Sequence, residues 1–171
     1  MPHVHVCPLS QLAETVAVSG ASHLISIVNE GTPVDRPAAI PEANHLFIGV
    51  NDIVEPAEGM TAPETEHVGE LIAFIKNWPA ARPLVVHCYA GISRSTAGAF
   101  IALCAARPDR DEMATARRLR EAAPTATPNI RIVALADTLL DRDGRMVRAV
   151  QAIGRGELAF EGTPFALPLE D

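Results

Sequence analysis

The stretch Leu84–Ser95, LVVHCYAGISRS, joins an apolar run, a short loop and the beginning of a helical pattern. Its first residues, Leu84-Val85-Val86, are apolar and rich in β-branched side chains, which predicts a buried strand. Apolar residues recur at helical spacing after the loop, so a helix is predicted over Ser95–Ala106. A small-residue loop that opens a helix turns N–H groups inward, and the helix N-terminus adds partial positive charge. The stretch therefore predicts an anion site that a phosphate group fits.

Cys88 and Arg94 stand at the two rims of this loop. Inward N–H groups, a helix N-terminus and a neighbouring guanidinium all favour the thiolate form of a cysteine. The planar fork of an arginine can bind two oxygens of a phosphoryl group at once. The alternative for Cys88 is a buried structural cysteine, and the alternative for Arg94 is a surface ion pair. The spacing favours a nucleophile and an anion holder that face one pocket.

The loop resembles the signature of the cysteine-dependent protein tyrosine phosphatase superfamily, His-Cys-x-x-Gly-x-x-Arg-Ser. Besides Cys88 and Arg94, the matches are His87, Gly91 and Ser95, together with the apolar strand before the loop and the helix after it. A Cys-x5-Arg spacing alone would be weak evidence for this superfamily, and the flanking matches make the resemblance strong.

The resemblance implies a role for each residue of the loop. Cys88 would attack phosphorus to form a cysteinyl-phosphate, Arg94 would hold the phosphate oxygens, and Ser95 would assist release of the thiolate. His87 would fix the loop from behind. The phosphate would also meet the intervening residues Tyr89, Ala90, Gly91, Ile92 and Ser93. The implied enzyme needs no metal ion and no cofactor.

Asp52 is the candidate general acid and base. The family takes an aspartate from a loop upstream of the cysteine, and Asp52 follows the predicted strand Asn44–Val50. Parallel strands place their carboxyl ends at one edge of a sheet, so Asp52 can reach the pocket of Cys88. The alternatives are an aspartate that only satisfies its own turn, or a different acid among Glu55, Glu58 and Asp35. Val50-Asn51-Asp52 resembles the dual-specificity branch, because the Trp-Pro-Asp of tyrosine-specific members is absent.

Two other positions carry expectations of their own. Asn129, in Thr127-Pro128-Asn129, resembles the asparagine that braces the signature loop in dual-specificity phosphatases, and its alternative is an ordinary first-turn residue. Gly91 is expected to adopt a positive φ or to allow close backbone approach. Cys7 and Cys104 are expected to be structural, although a thiol close to Cys88 could trap its oxidised form.

Composition narrows the class of protein. The 171 residues are 48% hydrophobic, and 14 basic residues stand against 21 acidic ones for a net charge of −7. This charge argues against nucleic acid or an anionic membrane as the main partner. No apolar run approaches the roughly 20 residues of a membrane span, and the N-terminus lacks the pattern of a signal peptide. Three cysteines fit a reducing cytoplasm.

Strands that alternate with helices predict an α/β fold, with a four- to five-stranded, mostly parallel sheet flanked by helices on both faces. One phosphatase domain is expected over residues 1–154, and residues 155–171 are expected to be a tail that packs on it. Ser10 is expected to cap a helix over Leu9–Val18. Thr127 and Pro128 are expected to begin a later helix, which Asp143-Gly144 divides. The tail is expected to pack through its apolar residues Leu158, Phe160, Phe165 and Leu167.

The function that this pattern favours is hydrolysis of phosphomonoesters on proteins. Phosphoinositide enzymes tend to place lysines in the loop, whereas the residues between Cys88 and Arg94 are uncharged. Phosphotyrosine is the expected substrate group, and a shallow pocket would also admit phosphoserine and phosphothreonine. Two alternatives from other classes are a phosphate-binding pseudophosphatase and a thiol enzyme of rhodanese or arsenate-reductase type.

Overall fold

One sheet of five strands lies at the centre of the computed structural model, which describes residues 2–170. The strands are β1 (His3–Pro8), β2 (His23–Val28), β3 (His45–Gly49), β4 (Leu84–Cys88) and β5 (Phe165–Pro168), in the spatial order β3-β2-β4-β1-β5. The pairs β1–β4, β2–β4 and β2–β3 are parallel, and β5 is antiparallel to β1. The predicted mostly parallel sheet is confirmed.

Helices cover both faces of the sheet, as a parallel sheet requires. They are α1 (Leu12–Ser19), α2 (Thr65–Asn77), α3 (Arg94–Ala106), α4 (Glu112–Ala122), α5 (Ile130–Leu139) and α6 (Arg145–Ile153). α1 packs on the face that contains Leu24 and Val85, and α3 packs on the opposite face. A Cβ on Gly98 would lie 2.9 Å from side-chain carbons of Ile27 and Val86, so glycine allows α3 to sit against the sheet. This contact fixes the start of α3 just beyond the end of β4.

The first helix begins later than predicted. Leu9–Gln11 form a short 3-10 turn, because the Leu9 N–H donates to Tyr89 O (3.1 Å) and draws the chain towards β4. α1 starts at Leu12, and the prediction that Ser10 caps it is wrong. The Ser10 hydroxyl instead donates to Glu161 Oε1 (2.7 Å). Gly20 ends α1 in the left-handed conformation.

The start of α5 also differs from the prediction. Asn129, rather than Thr127, is the N-cap, and its Oδ1 accepts the Ile132 N–H at 3.0 Å. Thr127 is held elsewhere, since its N–H donates to Ile92 O at 2.9 Å. The predicted break at Asp143-Gly144 is confirmed, because α5 ends at Leu139 and α6 begins at Arg145.

The end of the chain is only partly packed. β5 adds to the edge of the sheet beside β1, and Leu167 is buried. Leu158 and Phe160 are 83% and 102% exposed, so the expectation that they pack on the body is wrong. Their backbone is held near other elements while their side chains extend into solvent. Among the helices described for residues 2–170, none has the length and apolar character needed to cross a membrane.

Candidate active site

The site lies at the edge of the sheet where the parallel strands end. Asn29 follows β2, Asp52 comes shortly after β3, and Cys88 is the last residue of β4. Because β2 pairs with both β3 and β4, these three strand ends are neighbours. The topology therefore brings together residues that are far apart in sequence.

The backbone of the signature loop (residues 88–94) has its carbonyl groups directed away from its centre. Tyr89 O accepts the Leu9 N–H, and Ala90 O accepts the Gly162 N–H at 2.8 Å. Ile92 O and Ser93 O accept hydrogen bonds from residues after the loop. In a trans peptide the following N–H points opposite to the carbonyl, so these amides face the interior of the loop. The loop thereby presents a set of N–H donors to an anion.

Gly91 makes this loop geometry possible. Its φ is +71°, and a Cβ there would lie 2.7 Å from Pro8 N and 2.9 Å from the Cys7 carbonyl carbon. Both the predicted positive φ and the predicted close approach are therefore present. Any side chain would push the loop away from the end of β1.

Cys88 is buried, and its sulfur has two polar neighbours. The Gly91 N–H donates to Cys88 Sγ at 3.2 Å, and Ser95 Oγ lies 3.1 Å from the sulfur. Ser95 is fully buried in the first turn of α3. The N–H and the hydroxyl at this range can both donate hydrogen bonds to the sulfur.

Arg94 is buried at the N-terminus of α3 and is oriented by two oxygens. Its Nη1 donates to Asn29 Oδ1 (2.7 Å) and to Val50 O (2.9 Å). Among the described residues, Arg94 Nε is buried without a hydrogen-bond partner. A buried guanidinium N–H that lacks a partner is costly, which points to an anionic ligand beside it.

Asn29 was not identified from the sequence as a site residue. Its position directly after a buried strand was the available signal, because polar residues at the carboxyl ends of parallel strands gather at one edge. The same rule had identified Asp52. Its application to β2 would have included Asn29 as well.

Asp52 contacts the signature loop directly. Its Oδ1 accepts hydrogen bonds from Ser93 Oγ at 2.7 Å and from Asn129 Nδ2 at 2.9 Å. Asn129 also donates its backbone N–H to Ser93 O (3.2 Å), so it ties the carboxylate and the loop together. The two donors occupy Oδ1 and leave Oδ2 to exchange a proton with a ligand.

The loop that carries Asp52, residues 51–61, is closed at its base. The Asn51 N–H donates to Thr61 O at 2.8 Å, and Asn51 Oδ1 accepts the Thr61 N–H at 2.9 Å. Arg131 of α5 donates to Pro63 O (2.6 Å) and pairs with Glu64 (3.0 Å) just beyond the loop. The alternative acids Glu55, Glu58 and Asp35 are exposed, as Asp52 is, so exposure does not distinguish them. Asp52 is the acid that is hydrogen-bonded to the signature loop.

His87 lies behind the loop and is fully buried. Its Nδ1 is 3.3 Å from Cys88 O, which can only accept, so Nδ1 carries the proton. Nε2 then accepts from Ser26 Oγ at 2.6 Å, and Ser26 accepts from His45 Nε2 at 2.8 Å. Burial lowers the pKa of His87 from 6.5 to about 4, which keeps the ring neutral. Ser26 and His45 were not identified from the sequence.

The other two cysteines differ from Cys88. Cys7 pairs in register with His87 and packs with Leu24 and Val85 on the α1 face, whereas Cys88 is one residue further and faces the other way. Burial raises the pKa of Cys7 to about 11 and that of Cys104 to about 12. Both are protonated structural thiols near neutral pH, as predicted.

Comparisons with known proteins show what the sequence and the fold resemble. The sequence profile of the protein-tyrosine phosphatase family matches residues 56–127, which include the signature loop. No curated protein matches the sequence.

Several solved structures share the fold. The chain is 21% identical to DUSP15 (TM-score 0.61, 92% of this chain and 96% of that one covered). It is 18% identical to human DUSP28 (TM-score 0.60, 88% and 95% covered). It is 12% identical to PTPMT1, solved in complex with PI(5)P (TM-score 0.58, 86% and 90% covered). The chain thus resembles the protein-tyrosine phosphatase family over residues 56–127, and it shares its fold with solved dual-specificity phosphatases.

Proposed function

We propose that this protein hydrolyses phosphomonoesters on proteins, as a tyrosine or dual-specificity phosphatase, through a cysteinyl-phosphate intermediate. The observation that carries the proposal is the surroundings of Cys88. Its sulfur contacts an inward N–H and Ser95 Oγ, and the signature loop ends at Arg94, whose Nε is buried without a partner among the described residues. A phosphoryl group fits this arrangement because its oxygens accept from N–H donors while its phosphorus faces the sulfur.

In the first step the Cys88 thiolate attacks phosphorus, and the bond from phosphorus to the leaving oxygen breaks. Arg94 and the loop N–H groups hold the oxygens on which charge develops. Asp52, protonated at Oδ2, gives its proton to the leaving oxygen so that an alcohol or phenol departs. Ser93 and Asn129 hold the other carboxylate oxygen and so set the direction of that transfer.

In the second step water attacks the phosphocysteine. Asp52, now ionised, takes a proton from the water as it adds to phosphorus, and the bond from sulfur to phosphorus breaks. The Ser95 hydroxyl, 3.1 Å from the sulfur, donates to the departing thiolate. Inorganic phosphate and the original thiolate result. The residues of this chain supply every group that the two steps require.

Proteins are the proposed substrates. Tyr89, Ala90, Ile92 and Ser93 add no cation to the loop, so nothing between Cys88 and Arg94 would bind the additional phosphates of a phosphoinositide. The net charge of −7 also disfavours an anionic lipid surface. Phosphotyrosine is the favoured group, with phosphoserine and phosphothreonine as further substrates.

A reducing compartment, the cytoplasm, is the proposed location. Cys7, Cys88 and Cys104 are free thiols. A catalytic thiolate is oxidation-prone and needs such surroundings to stay active.

Hydrolysis of p-nitrophenyl phosphate by wild type, Cys88→Ser and Asp52→Ala tests the proposal. Cys88→Ser should be inactive and should still bind phosphate analogues, because the N–H donors and Arg94 remain. Asp52→Ala should turn over slowly, with a loss on the order of 10²–10⁴-fold.

The same assay separates the alternatives. A pseudophosphatase would bind phosphate without turnover in the wild type. A thiol enzyme of rhodanese or arsenate-reductase type would act on thiosulfate or arsenate and leave the aryl phosphate intact. A fully active Cys88→Ser variant would contradict a cysteine nucleophile.

A further inference from the structure

The segment between α6 and β5 runs beside the signature loop. We call residues 155–162 the C-terminal strap. At one end the Gly156 N–H donates to Thr127 Oγ1 (3.1 Å), and at the other the Gly162 N–H donates to Ala90 O (2.8 Å). Ala90 belongs to the signature loop, and Thr127 is bonded to Ile92 of that loop. The strap is therefore attached, directly and through one residue, to the phosphate-binding backbone.

Both attachment points require glycine. A Cβ on Gly162 would lie 2.7 Å from Gly91 O, and a Cβ on Gly156 would lie 2.6 Å from the Thr125 carbonyl carbon. At such distances the backbone atoms could not move aside without a large cost in free energy. The strap is thus packed against the loop and the segment that precedes α5.

Between these two glycines the side chains extend into water. Leu158 and Phe160 are 83% and 102% exposed, and Tyr89 of the adjoining loop is 66% exposed. The backbone that carries Leu158 and Phe160 is held at both ends. A partner that covers their side chains removes apolar surface from water, which stabilises the complex. Phe160 lies two residues before Gly162, whose N–H is bound to Ala90 of the signature loop, and Ala90 directly follows Tyr89.

Leu158 is also adjacent to the proposed proton donor. A cavity of about 480 Å³ has Asp52 and Ser93 on one side and Leu158 and Ala159 of the strap on the other. A leaving group that takes its proton from Asp52 must pass through the space beside that carboxylate. Asp52 also lines a second cavity of about 580 Å³, which is bordered by Val54 and Glu55. A group bound to the leaving oxygen comes next to Leu158 when it lies in the first of these cavities.

We infer that Leu158 and Phe160 determine substrate specificity by binding apolar side chains that flank the phosphorylated residue of a polypeptide. The inference rests on the proposed function and adds a substrate preference to it. A polypeptide is favoured over a membrane because Glu157 and Glu161 outnumber Arg155 in the strap, whereas surface-binding segments are basic.

Binding measured in the Cys88→Ser background tests the inference without requiring turnover. Two fluorescent phosphotyrosine peptides are compared, identical except for leucine or serine on each side of the phosphotyrosine. The parent should bind the leucine peptide about tenfold more tightly, since burial of apolar anchors at an interface has effects of this size. Leu158→Ser/Phe160→Ser should bind both peptides with nearly equal Kd.

The matched control is Val18→Ser, which changes an 82% exposed side chain on α1 and should keep the preference. Equal affinity of the parent for both peptides, or a preference that survives in the double variant, would overturn the inference. So would binding to phosphatidylcholine/phosphatidylserine vesicles that the double substitution abolishes, because it would assign the two side chains to a membrane. Failure of the proposed function appears separately, as absence of p-nitrophenyl phosphate turnover by the wild type.

Discussion

The signature loop and the Asp52 loop meet at one site but are held in different ways. Residues 88–94 are positioned by backbone hydrogen bonds, by close contact at Gly91, and by the buried ring of His87. Residues 51–61 lie at the surface, and Asp52 is joined to the signature loop through Ser93 and Asn129 side chains. The signature loop is thus anchored to buried elements, whereas the position of Asp52, the proposed proton donor, depends on two exposed or half-buried contacts.

Among substitutions that leave Cys88 and Asp52 in place, the largest effect should come from the arginine of the signature loop. Arg94→Lys keeps the charge but loses the fork that donates to Asn29 and Val50 while presenting Nε to a ligand. We expect kcat/KM for an aryl phosphate to fall about 10³-fold, the upper range for loss of an oxyanion donor. Arg117→Lys, on the exposed face of α4, is the matched control and should retain full activity. An Arg94→Lys enzyme within a fewfold of wild type would show that the fork is dispensable.

A smaller effect should appear in the free energy of unfolding, because the buried ring of His87 supports the signature loop from behind. The pKa of His87 falls from an ordinary 6.5 to about 4 because burial opposes its charged form. Between these pH values the unfolded chain binds more protons, so the free energy of unfolding must decrease as the pH falls from 6.5 towards 4. We expect His87 to account for about 2 kcal/mol of the loss between pH 7 and pH 5.

Urea unfolding of wild type and His87→Gln at these two pH values measures that contribution. The variant lacks the titrating ring, so its stability should change less with pH, while its remaining histidines are common to both proteins. The same decrease in both proteins would contradict a neutral, buried His87.

The smallest effect should come from the contacts that position the acid. Asn129→Ala removes one of the two donors to Asp52, and we expect kcat to fall about tenfold. The loss should be larger for phenyl phosphate than for p-nitrophenyl phosphate, since the poorer leaving group depends more on protonation.

This dependence on the leaving group separates positioning from a merely structural role. Ser93→Ala, which removes the other donor, should show the same pattern. An equal loss on both substrates would indicate a general disturbance of the loop and would contradict a role in directing Asp52.

The sequence predicted the signature loop because the residues that form it are consecutive in the chain. A strand, a glycine with a positive φ and a helix start follow one another, and each is governed by local backbone preferences. The sequence marked Asn29 only as a polar residue after a strand and gave no signal for Ser26, because their contacts with Arg94 and His87 depend on β2 lying beside β4. Sheet order is a property of the whole chain and cannot be read from the spacing of motifs.

Tertiary contacts also overruled two local patterns. Thr127 has the chemistry of an N-cap, yet its N–H and hydroxyl are bound to Ile92 and Gly156, and Asn129 takes the cap instead. Leu158 and Phe160 have the hydropathy of core residues, yet the glycine contacts of the strap hold them at the surface. In both cases residues distant in sequence outweighed the local signal.

Direct detection of the phosphoenzyme tests the central claim. Asp52→Ala mixed with p-nitrophenyl phosphate and quenched with alkaline detergent should carry a phosphoryl group on the peptide that contains Cys88. The good leaving group allows the first step, while loss of the base slows hydrolysis of the phosphocysteine. A burst of p-nitrophenol equal to the enzyme concentration should accompany it. Turnover with the phosphoryl group on another residue, or with no phosphoenzyme at all, would contradict nucleophilic catalysis by Cys88.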